Sequence, residues 1–101
     1  MKSFYIIGNG GFAKEVLFLA EQTLIDSKYS FGGFIDFQPQ TDSINVGAHS
    51  FPVLDEDYFL MSVGPSLDTV LYLGIGDPVK ISKVQGKFRG YQFPNLVHPS
   101  V

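Results

Sequence analysis

The apolar and polar positions of the chain change period several times, and each change marks a new element. Phe4–Ile7 is a short unbroken apolar run, rich in aromatic and β-branched residues and stopped by Gly8. That predicts a strand buried on both faces, as in parallel sheets. Ala13, Val16, Leu17, Ala20 and Leu24 then recur at offsets of 0, 3, 4, 7 and 11, one stripe of a helix. Lys14, Glu15, Glu21 and Gln22 are left for its other side. After polar Lys28–Ser30, Phe31-Gly32-Gly33-Phe34-Ile35-Asp36 predicts a second strand. Strand, helix and strand within about 35 residues make a βαβ unit, whose crossover is almost always right-handed.

From Phe37 to Ser50 the periodicity fails, and Pro39, Asp42, Asn45 and Gly47 predict a loop with at most a short extended piece around Ile44–Val46. Phe51-Pro52-Val53-Leu54 reads as a short strand or an extended lead-in. Asp55 is placed to cap a helix starting at Glu56, with Tyr58, Phe59 and Leu60 facing inward and Gly64-Pro65 ending it. Thr69–Ile75 is the clearest buried strand. Asp77 as N-cap and Pro78 at the first helical position start a helix running to about Lys87, with Val79, Val84 and Phe88 as its buried side. Gly90 breaks it, and Phe93–Val97 predicts a last strand. There is no internal repeat or interdomain linker.

A chain of 101 residues holds one domain, too little for a complete two-domain dehydrogenase, kinase or hydrolase. With 45% hydrophobic and 17% charged residues it has the material for a core. A net charge of −3, without a basic patch, argues against nucleic-acid binding. The absence of cysteine excludes disulfide scaffolds and thiolate sites. No apolar run approaches the ~20 residues that span a bilayer, and the N-terminal run meets a glycine too early for a signal peptide. The expectation is a cytoplasmic domain with neither nucleic-acid nor membrane partner.

The segment with chemical meaning is Gly8-Asn9-Gly10-Gly11-Phe12-Ala13, directly after the first strand and opening the first helix. It fits G-x-G-x-x-G/A. Gly8 permits a tight turn, Gly10 lets a ligand approach the backbone, and Ala13 keeps the helix close to the sheet. A helix N-terminus there presents N–H groups to a phosphate, so an acidic protein needs no basic patch to bind one. The other reading is a glycine connector that only turns the chain. Asp36 ends the second strand 28 residues after Gly8. It is a candidate for a ribose contact, and equally a candidate to cap the Phe37-Gln38-Pro39 turn. Gly76 is a candidate for close ligand approach, whereas Asp77 reads foremost as a helix cap. The whole predicts an α/β fold, a Rossmann-like three-layer sandwich around a small parallel sheet of about four strands.

Catalytic chemistry is not visible. His49 falls in a polar loop, and His98 precedes Pro99 after the last strand. No metal-ligand spacing and no nucleophile elbow is present. Asp55-Glu56-Asp57 reads as acids favouring a helix N-terminus. Lys80, Lys83 and Lys87 read as a solvated helix face.

Tyr5–Val16 with its glycine turn, Gly33-Phe34-Ile35-Asp36, Phe51-Pro52-Val53-Leu54, Leu73-Gly74-Ile75-Gly76-Asp77 and Phe93–Ser100 together resemble one family over essentially the whole chain. It is the N-terminal domain of the sugar O- and N-acetyltransferases, typified by the sialic acid O-acetyltransferases and the PglD-type UDP-amino-sugar acetyltransferases. The resemblance implies that residues 1–97 form the nucleotide-sugar-binding domain. Residues 98–101 would begin a linker to a left-handed β-helix domain that carries the catalytic histidine, binds acetyl-CoA and assembles homotrimers in glycan biosynthesis. This segment would then need no cofactor and hold no catalytic residue. Its substrate contacts would be Gly8, Asn9, Gly10, Gly11, Phe12, Asp36, Phe37 and Gly76, with Asp36 toward the uridine. Phe12 stands where many relatives carry His, Phe37 where an acid or small polar residue is common, and Pro78 where Asn is common. The glycine turn also permits an NAD(P)-binding redox or sensory module. A third reading is an interaction domain without ligand, built on Phe12 and Phe37.

Overall fold

The computed structural model describes residues 2–8, 11–23, 29–37, 39–65 and 68–93. The elements follow in the order β1 (Lys2–Ile7), α1 (Gly11–Thr23), β2 (Tyr29–Asp36), β3 (Ser43–Val46), β4 (His49–Asp55), α2 (Glu56–Ser62), β5 (Thr69–Leu73) and α3 (Pro78–Lys87). They build an α/β sandwich on one five-stranded sheet of order β3-β4-β2-β1-β5. β1 pairs in parallel with both β2 and β5, and β2 with β4; only β3 runs antiparallel, against β4. Counting the parallel strands alone, the order is third, second, first, fourth, the half-sheet of a Rossmann-like fold.

The two faces of the sheet hold two separate cores. Phe4, Ile6, Phe34, Val53, Val70 and Tyr72 meet Ala13, Val16, Leu17 and Ala20 of α1 on one side. Ile7, Ile35 and Leu71 meet Phe59 of α2, Val84 of α3, and the following Phe88 and Tyr91 on the other. The second core is closed by aromatic contacts, with Phe59 centred 4.8 Å from Tyr5, 5.7 Å from Tyr91 and 6.0 Å from Phe88. The Tyr91 hydroxyl donates to the Val63 carbonyl and ties the chain after α3 to the end of α2.

A β-bulge settles which side chains face which core. Phe4 pairs with Phe31 but Tyr5 pairs with Gly33, so Gly32 is an extra residue in β2. Strict alternation would place Phe31 and Phe34 on opposite faces. The extra residue resets the alternation, and both rings reach the α1 face, 5.1 Å apart. The bulge accommodates a neighbour as well: a Cβ at Gly32 would meet the Tyr5 ring at 2.3 Å.

Several expectations are corrected. Within the stretch expected to be a loop, the short extended piece around Ile44–Val46 is β3, paired in a hairpin to β4, and β3 is a four-residue edge strand whose residues alternate between exposed and half-buried. Too short to show a period, it gains its place from Ile44 and Val46 packing on the α1-side core. The sheet thus has five strands among the described residues. Tyr58 and Val79 were expected inside and are 60% and 63% exposed. α2 is only seven residues long and buries Phe59, with Leu60 half-buried. α3 buries nothing before Val84, and Ile81 is half-buried. β5 ends at Leu73 rather than Ile75. Leu24 lies outside the described residues. Of the strand expected over Phe93–Val97 only Phe93 is described, following a parallel bridge between Val70 and Gln92. The expected linker at 98–101 and His98 lie outside the described residues too.

The caps are as the sequence indicates. Asp55 accepts from the Asp57 and Tyr58 N–H groups, and Asp77 from that of Val79, with Pro78 opening α3.

The fit of α1 to the sheet depends on Gly74. A Cβ there would lie 2.8 Å from Ala13 Cα, Ala13 Cβ and Ile6 Cγ2. Gly74→Ala is therefore expected to destabilise the domain by about 1–3 kcal/mol, as overpacking does. Urea unfolding measures it, and a midpoint equal to wild type would show that α1 is free to withdraw.

Candidate functional site

Open parallel sheets place ligands beyond the carboxyl ends of their strands, where the strand order reverses. Here the chain leaves β1 toward β2 and β4 on one side and returns to β5 on the other, so the reversal lies at β1. The edge is drawn together by backbone bonds. The Gly8 N–H donates to the Ile35 carbonyl at 2.6 Å, and the Gly74 N–H to the Ile7 carbonyl at 2.8 Å. Gly8 has φ +111°, and a Cβ on it would lie 2.8 Å from the Gly74 carbonyl oxygen. Both conditions demand glycine, and they set the direction in which the chain leaves the sheet. Gly11 and Phe12 then open α1, while Asn9 and Gly10 lie outside the described residues.

Asp36 is the last residue of β2 and is level with Asp55, the last of β4. Its carboxylate accepts the Phe37 N–H at 2.9 Å, the local bond that the turn-capping reading anticipates. It also lines a cavity of about 570 Å³ opening at this edge. Phe37, 54% exposed, stands at the same cavity. Its other walls are Glu56 from the start of α2, Ile75 beyond β5, and one face of α3. That face supplies Val84 between Lys80, Lys83 and Lys87. Gly76 is exposed on the segment joining Ile75 to α3, and a Cβ there would meet nothing within 4 Å. No intramolecular contact therefore requires glycine at this position.

Lys80, Lys83 and Lys87 are exposed, as a solvated helix face predicts, and they line the cavity as well, which sequence reading did not foresee. Their helical spacing was visible, but a solvated face and a cavity wall have the same spacing. Only the placement of α3 against the end of β2 separates the two. Lys87 is an ion-pair hub: its Nζ lies 2.9 Å from Glu56 Oε1 and 3.0 Å from Asp57 Oδ1, and 5.1 Å from the centre of the Phe37 ring. Glu56, 8% exposed, is thereby a buried acid with a cationic partner rather than only a residue favoured by the helix dipole. The hydrogen bond with Glu56 raises the Lys87 pKa above the ordinary lysine value, against a smaller opposing effect of burial, and the Asp57 carboxylate adds to the rise.

His49 is exposed, with its ring 6.1 Å from that of Phe51, and lies on β4 rather than in a loop. Among the described residues no group of three His, Cys, Asp or Glu is placed to hold a metal, and no helix is long and apolar enough to cross a membrane.

The profile of the PglD N-terminal domain matches residues 3–88, from the second residue of β1 to the end of α3. The chain belongs to the PglD N-terminal domain family. No curated protein sequence matches it. Membership sets this PglD N-terminal domain in the context of the sugar acetyltransferases. The match takes in the glycine turn, Asp36, Phe37, Gly76 and the three lysines of α3 alike.

Lys87→Met, which keeps the aliphatic stem and removes the charge, strands Glu56 without its partner. It is expected to cost about 1–2 kcal/mol at neutral pH, the low side of the range for a lost charged partner because Lys87 is 32% exposed. The raised folded-state pKa fixes the pH dependence. The pair stabilises fully below the ordinary lysine value of 10.5 and is lost as pH rises through the raised one. Burial likewise raises Tyr72 and Tyr91, so stability declines above about pH 10 for all three. Thermal unfolding against pH checks this; a variant as stable as wild type at pH 7 would count against the pair.

Proposed function

We propose that this domain holds a nucleotide-sugar of the UDP type at the carboxyl edge of its sheet and presents the sugar for acetylation by another part of an acetyl-CoA-dependent transferase. The observation that carries the reading is that the Gly8 turn, where the strand order reverses, is bonded to Ile35 beside Asp36, and Asp36 with Phe37 lines a cavity. The N–H groups at the start of α1 face phosphate oxygens, as helix N-termini do. Asp36 accepts hydrogen bonds from the nucleoside, and Phe37 offers its exposed ring as a stacking surface. Exposed Gly76 leaves the ligand room to pass close to the backbone.

Binding and orientation are the whole contribution of these residues to the reaction. In this reading the acetyl donor and the histidine that removes the acceptor's proton belong to a separate β-helix domain. The same reading gives acetyl-CoA to that β-helix domain as its cofactor and homotrimer assembly through it.

Calorimetric titration of the domain with UDP, UDP-N-acetylglucosamine, NAD and acetyl-CoA tests the reading. Saturable binding of the two uridine ligands is expected, falling about 10- to 100-fold in Asp36→Ala, as when a charged hydrogen-bond partner is removed. NAD binding without uridine-nucleotide binding would transfer the domain to the redox or sensory class. Silence toward all four would favour an interaction domain.

A further inference from the structure

The charges around the cavity do not balance, and the surplus has a position. α3, with the sequence PVKISKVQGK, carries three lysines and no acid. Lys87 is matched by Glu56 and Asp57. Lys80 and Lys83 line the same cavity and make no ion pair among the described residues. They stand three residues apart, and Lys83 and Lys87 four, so like charges are neighbours along one face of the helix. Such neighbours destabilise a helix that has nothing bound beside it, and an anion between them reverses the sign. This stripe occurs on a chain of net charge −3, which is repelled by polyanions such as nucleic acid or an anionic membrane. A small anion that enters the cavity meets the lysines without meeting most of that repulsion.

The rest of the wall limits what else the anion carries. Val84 is buried, Ile75 half-buried, and Phe37 exposes its ring at the rim beneath Lys87. An apolar or planar portion fits against these groups while the charge lies on α3. Asp36 disfavours a second negative group near the end of β2 and favours a hydrogen-bond donor there.

We propose that Lys80 and Lys83 form a phosphoryl-binding wall, which takes the diphosphate of a soluble ligand from the side opposite the glycine turn. For the remainder of the ligand this rests on the nucleotide-sugar reading above. The two cations make charge-assisted contacts to the terminal phosphoryl oxygens, and Lys87 stays on Glu56. Discrimination between a nucleoside and its diphosphate then comes from α3 as well as from the backbone at the glycine turn.

The test titrates uridine, UDP and inorganic pyrophosphate into the wild-type domain and the double variant Lys80→Ala/Lys83→Ala, at low and high salt. Both lysines are exposed and lack ion-pair partners among the described residues, so the variant keeps the fold; circular dichroism checks this. UDP and pyrophosphate affinity is expected to fall about tenfold or more in the variant, with a shallower salt dependence and unchanged uridine binding. Lys80→Arg/Lys83→Arg restores most of the affinity, and Lys2→Ala, exposed at the amino end of β1 on the opposite edge of the sheet, changes nothing. Equal UDP and pyrophosphate affinity in wild type and double variant would overturn the lysine wall and leave the nucleotide-sugar reading intact. Lysine-dependent pyrophosphate binding without UDP binding would do the opposite. A wild type that binds neither would overturn both.

Discussion

The close approach of Ala13 to Gly74 is the contact on which the geometry of the domain depends. With no side chain between them, α1 lies tightly against β1 and β5. Gly8 must then turn the chain within one residue of leaving the sheet, against the Gly74 carbonyl and the Ile35 carbonyl. Gly8, Ala13, Ile35 and Gly74 thus fix where the N-terminus of α1 points. It points out over the carboxyl edge of the sheet, where Asp36 and the cavity are found. A larger residue at position 74 would displace the helix, and a displaced helix would aim its N–H groups elsewhere.

The other face is organised by aromatic rings and one ion pair. Phe59, Phe88 and Tyr91 pack together against Ile7 and Leu71 and hold the end of α3 to the sheet. Lys80, Lys83 and Lys87 of α3 line a cavity, while Val84 between them is buried in the core. Lys87 then binds α3 to the start of α2 through Glu56 and Asp57.

Much of this was legible in the residues, and the parts that were not share a reason. β1, β2, β5, α1 and the Asp55 and Asp77 caps are local: each follows from periodicity or from one side chain beside one helix end. So does the glycine turn, whose third small residue, Ala13, is fully buried where close packing requires it. β3 showed only as a short extended piece, because four residues of an edge strand carry too little pattern to reveal a paired strand. The bulge at Gly32 escaped because the sequence gives no register between β1 and β2. The cavity escaped for the plainest reason. Its walls come from residues 36–37, 56, 75 and 80–87, and no window of sequence contains them together.

The proposed ligand, a uridine diphosphate, would sit at one edge of the sheet, bounded by the Gly8 turn, the end of β2 and the lysine face of α3. Amide chemical-shift mapping during a UDP titration addresses that placement directly. The account predicts shifts concentrated at Gly8, Gly11, Asp36, Phe37, Gly76 and the Lys80–Lys87 stretch, with the β3–β4 hairpin and the exposed side of α1 unmoved. Shifts confined to the hairpin or to the outer side of α1, or no shifts at saturating UDP, would contradict it.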